Sequence, residues 1–134
     1  MSQIPFIASR SNPQVKRWRE LATIPKIRRD EGLVWVEGEH LLVEAQTAGW
    51  QVDTLICLEN SPFLEVQAPQ KVMVSSNVMA LISQLESPSK VVALLTMPAL
   101  LPLNLIDHDA VVIDGVQDPG NIGTLLRCAW AFGV

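Results

Sequence analysis

The sequence predicts an α/β fold in which a mixed or parallel sheet is covered by helices. Short apolar runs of strand length alternate with segments of helical period along most of the 134 residues. A hydrophobic fraction of 49% with only 18% charged residues excludes a disordered chain, because enough apolar surface is available to offset the entropy of ordering. With three Phe, four Trp and no Tyr, the core is predicted to be mainly Leu, Val and Ile.

The first predicted helix covers residues 12–22 and carries cations on its outer side. Asn12 can cap it, and Pro13 suits its first turn, where a missing N–H costs nothing. Apolar residues recur at helical spacing and define a buried stripe, which consists of Val15, Trp18 and Leu21 or Ala22. The cations that fall largely off this stripe are Lys16, Arg17 and Arg19. A charged short helix or turn is expected over 26–32, after Ile24-Pro25.

The rest of the predicted sandwich covers residues 33–97. Its strands are expected at 33–36, 55–58, 71–74 and 90–97. One helix follows Gly38 and closes at Gly49, and a second is capped by Ser75 or Ser76. We therefore expect one domain over residues 1–97.

A second, smaller region is predicted after a linker at 98–109, which Pro98 and Pro102 stiffen. In it, residues 110–113 are expected to form a buried strand, 114–121 a turn-rich loop and 122–132 a helix.

Charge is strongly segregated along the chain. Residues 1–29 carry a net charge of +6, and residues 30–134 carry −10. A cationic cluster attracts polyanions whatever the overall charge, so this end could contact phosphates, but it could equally be a solvated helix face. The candidate phosphate-binding cations are Lys16, Arg17, Arg19, Arg28 and Arg29.

The cysteines and histidines of the sequence do not stand at spacings that are typical of metal ligands. Cys57 and Cys128 each lie in an apolar run, which predicts buried free thiols, and His40 and His108 are solitary. The sequence contains no membrane-spanning stretch, and its first residues do not resemble a secretion signal. We therefore expect a cytoplasmic protein without a membrane partner.

The loop from Asp114 to Gly123 joins the predicted second-region strand to its helix. The start of a helix after a strand is a common anion site, because free backbone N–H groups and the helix dipole point the same way. Glycines at 115, 120 and 123 allow a ligand to approach the backbone closely. The standard nucleotide fingerprints are absent.

Arg127 is the exceptional residue of the predicted 122–132 helix. Because helical side chains lean toward the N-terminus, its guanidinium can reach back toward Gly123 and Asn121. Together these groups could hold a phosphate or a ribose. Alternatively, Asn121 is only a cap and Arg127 only a surface cation.

The residues from Ile113 to Gly133 closely resemble the first signature motif of the SpoU (TrmH-like) branch of the SPOUT RNA methyltransferases. Its core, Asn-x-Gly-x-x-x-Arg, is matched at Asn121, Gly123 and Arg127, and the preceding Asp-Pro-Gly is matched too. The Ser-Asn-Pro-x-Val-Lys run at 11–16 resembles the N-terminal substrate-binding domain of that family.

This resemblance implies methyl transfer from S-adenosylmethionine to a ribose 2′-hydroxyl of ribosomal or transfer RNA. Arg127 would be catalytic, Asn121 would belong to the same site, and Gly120 and Gly123 would contact RNA. The implied fold is a small α/β/α sandwich resembling the kink-turn-binding ribosomal proteins, followed by the first β/α unit of a SPOUT trefoil-knot domain.

The family's knot, which holds the methyl donor and much of a homodimer interface, has no counterpart in these 134 residues. We therefore expect the chain to be the RNA-recognition part of such an enzyme, with no cofactor-binding residues of its own and no activity alone. Two alternatives stay open, a non-catalytic RNA-binding module and a small-anion or nucleotide binder built on the loop at 120–123.

Overall fold

The computed structural model describes residues 4–100, 102 and 107–134. The chain divides into two compact units, Met1–Pro98 and Ala99–Val134. Residues 101 and 103–106 of the predicted linker at 98–109 lie outside the described residues.

The first unit is built on a five-stranded mixed sheet with the order β1-β4-β3-β5-β2. Its strands are β1 (Phe6–Ile7), β2 (Leu33–Glu37), β3 (Val52–Leu58), β4 (Gln70–Val74) and β5 (Val91–Thr96). Neighbours β1, β4 and β3 run parallel, whereas β5 is antiparallel to both β3 and β2. The mixed sheet and four of its strands are confirmed as predicted; β1 is too short to give a pattern.

Four helices accompany this sheet: α1 (Pro13–Thr23), α2 (Pro25–Glu31), α3 (Glu39–Thr47) and α4 (Ser76–Ile82). The predicted caps are confirmed, because the Gln14 amide donates to Asn12 Oδ1 at 2.8 Å and the Val78 amide donates to Ser75 Oγ at 3.3 Å. A 3₁₀ turn at Pro62–Glu65 follows β3. Within the described residues, no helix is long and apolar enough to cross a membrane.

Helices pack on both faces of the sheet, which makes this unit an α/β/α sandwich. On one face, α1 and α4 bury Val15, Trp18, Leu21 and Ile82 against alternate strand residues such as Ile56. On the other, Leu42 of α3 packs against the intervening residues Leu55 and Cys57. The two-residue alternation of β3 therefore divides its side chains between two apolar cores.

The end of β2 is tied to the loop that follows α4 by a single carboxylate. Glu37 accepts hydrogen bonds from Trp35 Nε1 at 2.8 Å, from Ser83 Oγ at 2.7 Å and from the Gln84 amide at 2.7 Å. Directly after it, Gly38 has φ 100° and ψ 155°, a conformation essentially confined to glycine. Glu37 thus joins segments that are far apart in sequence.

We expect Glu37→Ala to lower the free energy of unfolding by about 2 kcal/mol, because three donors lose a charged acceptor. Urea unfolding followed by far-UV circular dichroism measures the change. Glu44→Ala, at an exposed position of α3, is the control and should shift stability by less than about 0.5 kcal/mol. Equal stability of the two variants would contradict a bracing role for Glu37.

In the second unit, the predicted buried strand at 110–113 is wrong. These residues form no strand, and Val112 is 87% exposed. An apolar run becomes a strand only where another strand satisfies its backbone, and the described residues of this unit contain no other strand. The unit's helix is α5 (Pro119–Ala131), which begins three residues earlier than predicted. Its apolar residues Leu126 and Trp130 are exposed.

The two cysteines differ in burial, so the prediction of two buried thiols is correct for Cys57 and wrong for Cys128. Both are free, and Cys128 is exposed on α5. Burial raises the pKa of the Cys57 thiol, although the nearby charge of Lys71 opposes the shift.

We expect iodoacetamide to modify Cys128 of this 134-residue chain well before Cys57, because the Cys128 thiol is accessible to the reagent whereas the Cys57 thiol is buried and its pKa is raised. Mass spectrometry of peptides from the native protein gives the two rates. The denatured chain is the control, and in it the difference should disappear. Equal rates in the native chain would contradict the burial of Cys57.

Candidate functional site

The N-terminus of α5 is closed by a side chain of its own. Asp118 caps the helix, and its carboxylate accepts hydrogen bonds from the Gly120 and Asn121 amides, both at 3.2 Å. Asn121 is therefore inside the first turn and not the cap. Since Asp118 already occupies two of the N–H groups that an anion would need, this helix start is a poor site for a small free anion.

Arg127 folds back along α5 as its helical position predicts. Its Nη2 donates to Thr124 Oγ1 at 3.2 Å, and the Thr124 hydroxyl donates to the Gly120 carbonyl at 3.0 Å. A Cβ at position 123 would lie 3.3 Å from Arg127 Nη1, so the glycine makes room for the guanidinium. The guanidinium thus lies beside Gly123, near the start of the helix.

The guanidinium of Arg127 retains most of its hydrogen-bonding capacity. It carries five N–H donors, and within the described residues it makes one side-chain hydrogen bond and no ion pair. Asn121 lies six positions before Arg127, and no hydrogen bond joins the two side chains within that part of the chain. The free donors of the guanidinium, unlike the capped N–H groups of the helix start, can bind a phosphate group or an anionic oxygen of a larger ligand at an exposed surface.

The basic end of the first unit separates into two groups of cations. Arg17 forms ion pairs with Glu20, at 3.6 Å, and with Glu31 of α2. Arg28 Nη1 donates to the Leu21 carbonyl and, at 2.9 Å, to the Ala22 carbonyl at the end of α1. These two arginines therefore join α1 to α2.

The remaining candidate cations Lys16, Arg19 and Arg29 are exposed, and within the described residues they make no ion pair. Two of them line a surface cleft of about 440 Å³ beside α1. Its lining residues are Arg10, Ser11, Lys16, Arg19, Glu20 and Thr23. Arg10 was missing from the candidates because it precedes the helix, and only the fold brings it beside Lys16 and Arg19.

Comparison with known proteins assigns the family. The model of the MRM3-like substrate binding domain matches residues 12–93, and the chain belongs to this family. The resemblance to the SpoU/TrmH methyltransferases is thereby confirmed for a region that contains α1 and most of the sheet.

Two curated relatives support this assignment over nearly the whole chain. An uncharacterized tRNA/rRNA methyltransferase of Synechocystis is 36% identical over 99% of the chain and 52% of its own length. The 23S rRNA (guanosine(2553)-2′-O)-methyltransferase RlmP of Bacillus subtilis is 32% identical over 96% of the chain and 51% of its own length. The chain thus spans about half the length of these relatives.

Solved structures with the same fold are also methyltransferases. An rRNA methyltransferase from Sinorhizobium meliloti superposes with a TM-score of 0.80 at 29% identity, over 99% of this chain and 53% of that one. The SpoU methyltransferase AviRb from Streptomyces viridochromogenes, in complex with AdoMet, gives a TM-score of 0.69 at 27% identity, over 92% of this chain and 51% of that one.

Proposed function

We propose that the protein containing this sequence is an RNA 2′-O-ribose methyltransferase that modifies ribosomal or transfer RNA with S-adenosylmethionine. The first unit would be its RNA-recognition domain, and residues 110–134 would open its catalytic domain. The observation that carries the proposal is the Arg127 guanidinium beside Gly123, within a helix that matches the family motif. RlmP, named as a 2′-O-methyltransferase, supports the position of the methyl group.

The proposed role of Arg127 is electrostatic. S-adenosylmethionine would supply the methyl group, and the ribose 2′-hydroxyl that accepts it would lose its proton to water. An arginine stays protonated and is a poor base. Arg127 would instead bind the phosphate next to the target ribose and stabilise negative charge developing on O2′. Asn121 would help to orient the same nucleotide.

The described residues of the second unit do not fit S-adenosylmethionine by themselves. Asn121 is exposed and no residue of α5 is buried, whereas a cofactor needs a concave, enclosed site. We therefore assign the donor to parts of such an enzyme that have no counterpart in this chain and expect this chain alone to be inactive.

The finer features of the architecture belong to the same proposal. The sandwich would correspond to the kink-turn-binding type of RNA domain, and residues 110–134 would open a trefoil-knot domain. The complete enzyme would be a homodimer in the cytoplasm. Leu126 and Trp130, exposed here, would then gain apolar partners.

A methylation assay tests this function. The product of the complete reading frame is incubated with RNA that lacks modifications and with S-adenosylmethionine labelled in its methyl group. A 2′-O-methyl group removes the hydroxyl that attacks the phosphodiester in alkali, so the label should be recovered in alkali-resistant dinucleotides. Label in alkali-sensitive mononucleotides would instead indicate base methylation and would refute the 2′-O assignment.

The alternative of a non-catalytic RNA-binding module predicts a different result from the same experiment. RNA would bind, but no label would enter it. The cationic cleft beside α1 supports RNA contact under both proposals, so RNA binding alone does not separate them.

A further inference from the structure

We propose that the cleft beside α1 is a clamp for successive phosphates of an RNA strand, formed by Arg10, Lys16 and Arg19. This inference rests on the proposed function and names the surface that holds the substrate. These three residues form what we call the phosphate clamp. Arg10 lies just before α1, and Lys16 and Arg19 are three positions apart within it, so their side chains are neighbours on one helix face.

The charge of the cleft is positive in spite of the acid that lines it. Glu20 is paired with Arg17 at 3.6 Å, so its carboxylate is partly neutralised from outside the clamp. Arg17 does not line the cleft, and its second ion pair, with Glu31, holds it toward α2. The three clamp cations are exposed and make no ion pair within the described residues. They are therefore available to an anionic ligand.

The other groups of the cleft favour contact with the sugar-phosphate backbone of RNA over contact with its bases. The Thr23 hydroxyl donates to the Arg19 carbonyl at 2.7 Å, and the Ser11 hydroxyl is hydrogen-bonded to that of Ser9 at 2.9 Å. The described residues that line the cleft include no carboxamide and no aromatic ring, which are the usual groups for reading base edges and for stacking. Three cations spread along a cleft of about 440 Å³ suit a chain of phosphates better than one small anion.

Fluorescence anisotropy of a labelled oligouridylate, measured with this 134-residue chain at several salt concentrations, tests the clamp. The variant Lys16→Ala/Arg19→Ala should lower affinity roughly tenfold or more and reduce the salt dependence by about one to two phosphate contacts. Lys26→Ala/Lys90→Ala is the matched control, because it removes the same charge from exposed positions outside the cleft. An equal loss in both variants would overturn the clamp in favour of diffuse attraction.

Two further sets of binding measurements control for loss of folding and for binding of other ligands. Glu20→Gln should tighten binding severalfold while Glu44→Gln, on α3, leaves it unchanged. The Arg10→Ala variant should lose affinity equally for oligouridylate and oligodeoxyuridylate, because phosphates are common to both. Three results would each contradict a backbone clamp. Glu20→Gln would fail to raise the affinity, Arg10→Ala would lower the affinity for oligouridylate alone, or inorganic phosphate would compete at micromolar concentration.

Failure of the clamp is distinguishable from failure of the proposed function. Methyl transfer is measured on the complete gene product through the chemistry of the labelled nucleotide. The clamp is measured by equilibrium binding to this chain. The clamp would be rejected, and the proposed function kept, if the complete gene product methylates RNA normally while the Lys16→Ala/Arg19→Ala variant of this chain binds RNA with unchanged affinity.

Discussion

Replacing Arg127 with alanine is expected to lower methyl transfer by the complete gene product about a hundredfold to a thousandfold. This is the usual loss when one preorganised group that stabilises developing negative charge is removed. Arg127→Lys should also lose most activity, because an ammonium keeps the charge but not the planar pair of donors. Initial rates with saturating RNA measure both effects.

A neighbouring substitution controls for damage to α5. Cys128→Ser changes the next residue, which is exposed, and should leave the rate within about twofold because it removes no contact of Arg127. Helix content by circular dichroism should be the same in all the variants. Full activity of Arg127→Ala would refute the assigned role and with it the proposed chemistry of this helix.

Replacing Trp18 with alanine is expected to lower the free energy of unfolding of the first unit by about 3–5 kcal/mol. The indole is 4% exposed and packs in the core that α1 and α4 share with the sheet. The substitution removes this large buried surface and leaves a cavity that the surrounding strands can fill only in part. Urea unfolding followed by far-UV circular dichroism measures the loss.

Trp130→Ala is the matched control, since the same change is made at a side chain that is 84% exposed. It should alter stability by less than about 0.5 kcal/mol, because little apolar surface returns to water. Similar losses in the two variants would show that the indole of Trp18 does not contribute as a core residue.

Much of the sandwich was predictable from local patterns. Val15, Trp18 and Leu21 recur at helical spacing and are buried on α1 as expected. Asn12 and Ser75 cap helices through contacts within three residues, and such contacts can be inferred from neighbours in the sequence. The alternation of strands with helices along the chain likewise predicts a sheet that is covered by helices.

The candidate site was predictable only in part. The position of Arg127 on a helix predicted its approach to Gly123, because helical geometry determines which residues lie one turn apart. The capping role of Asp118 was missed, since Asp118 and Asn121 both favour a helix start and the sequence does not choose between them. The position of Arg10 beside the cleft could not be predicted, because it depends on the conformation of the turn before α1.

The sequence by itself determined where most helices and strands of the sandwich lie and which residues face its cores, because those features follow from the period of apolar residues. Tertiary structure decided which charges find partners. Glu37 meets Ser83 across 46 positions, and Arg17 meets Glu31 on another helix. It also decided that residues 110–113 stay irregular and that Cys128 stays exposed. A strand edge and an apolar helix face are completed by groups from elsewhere in a fold, and local sequence does not specify those groups.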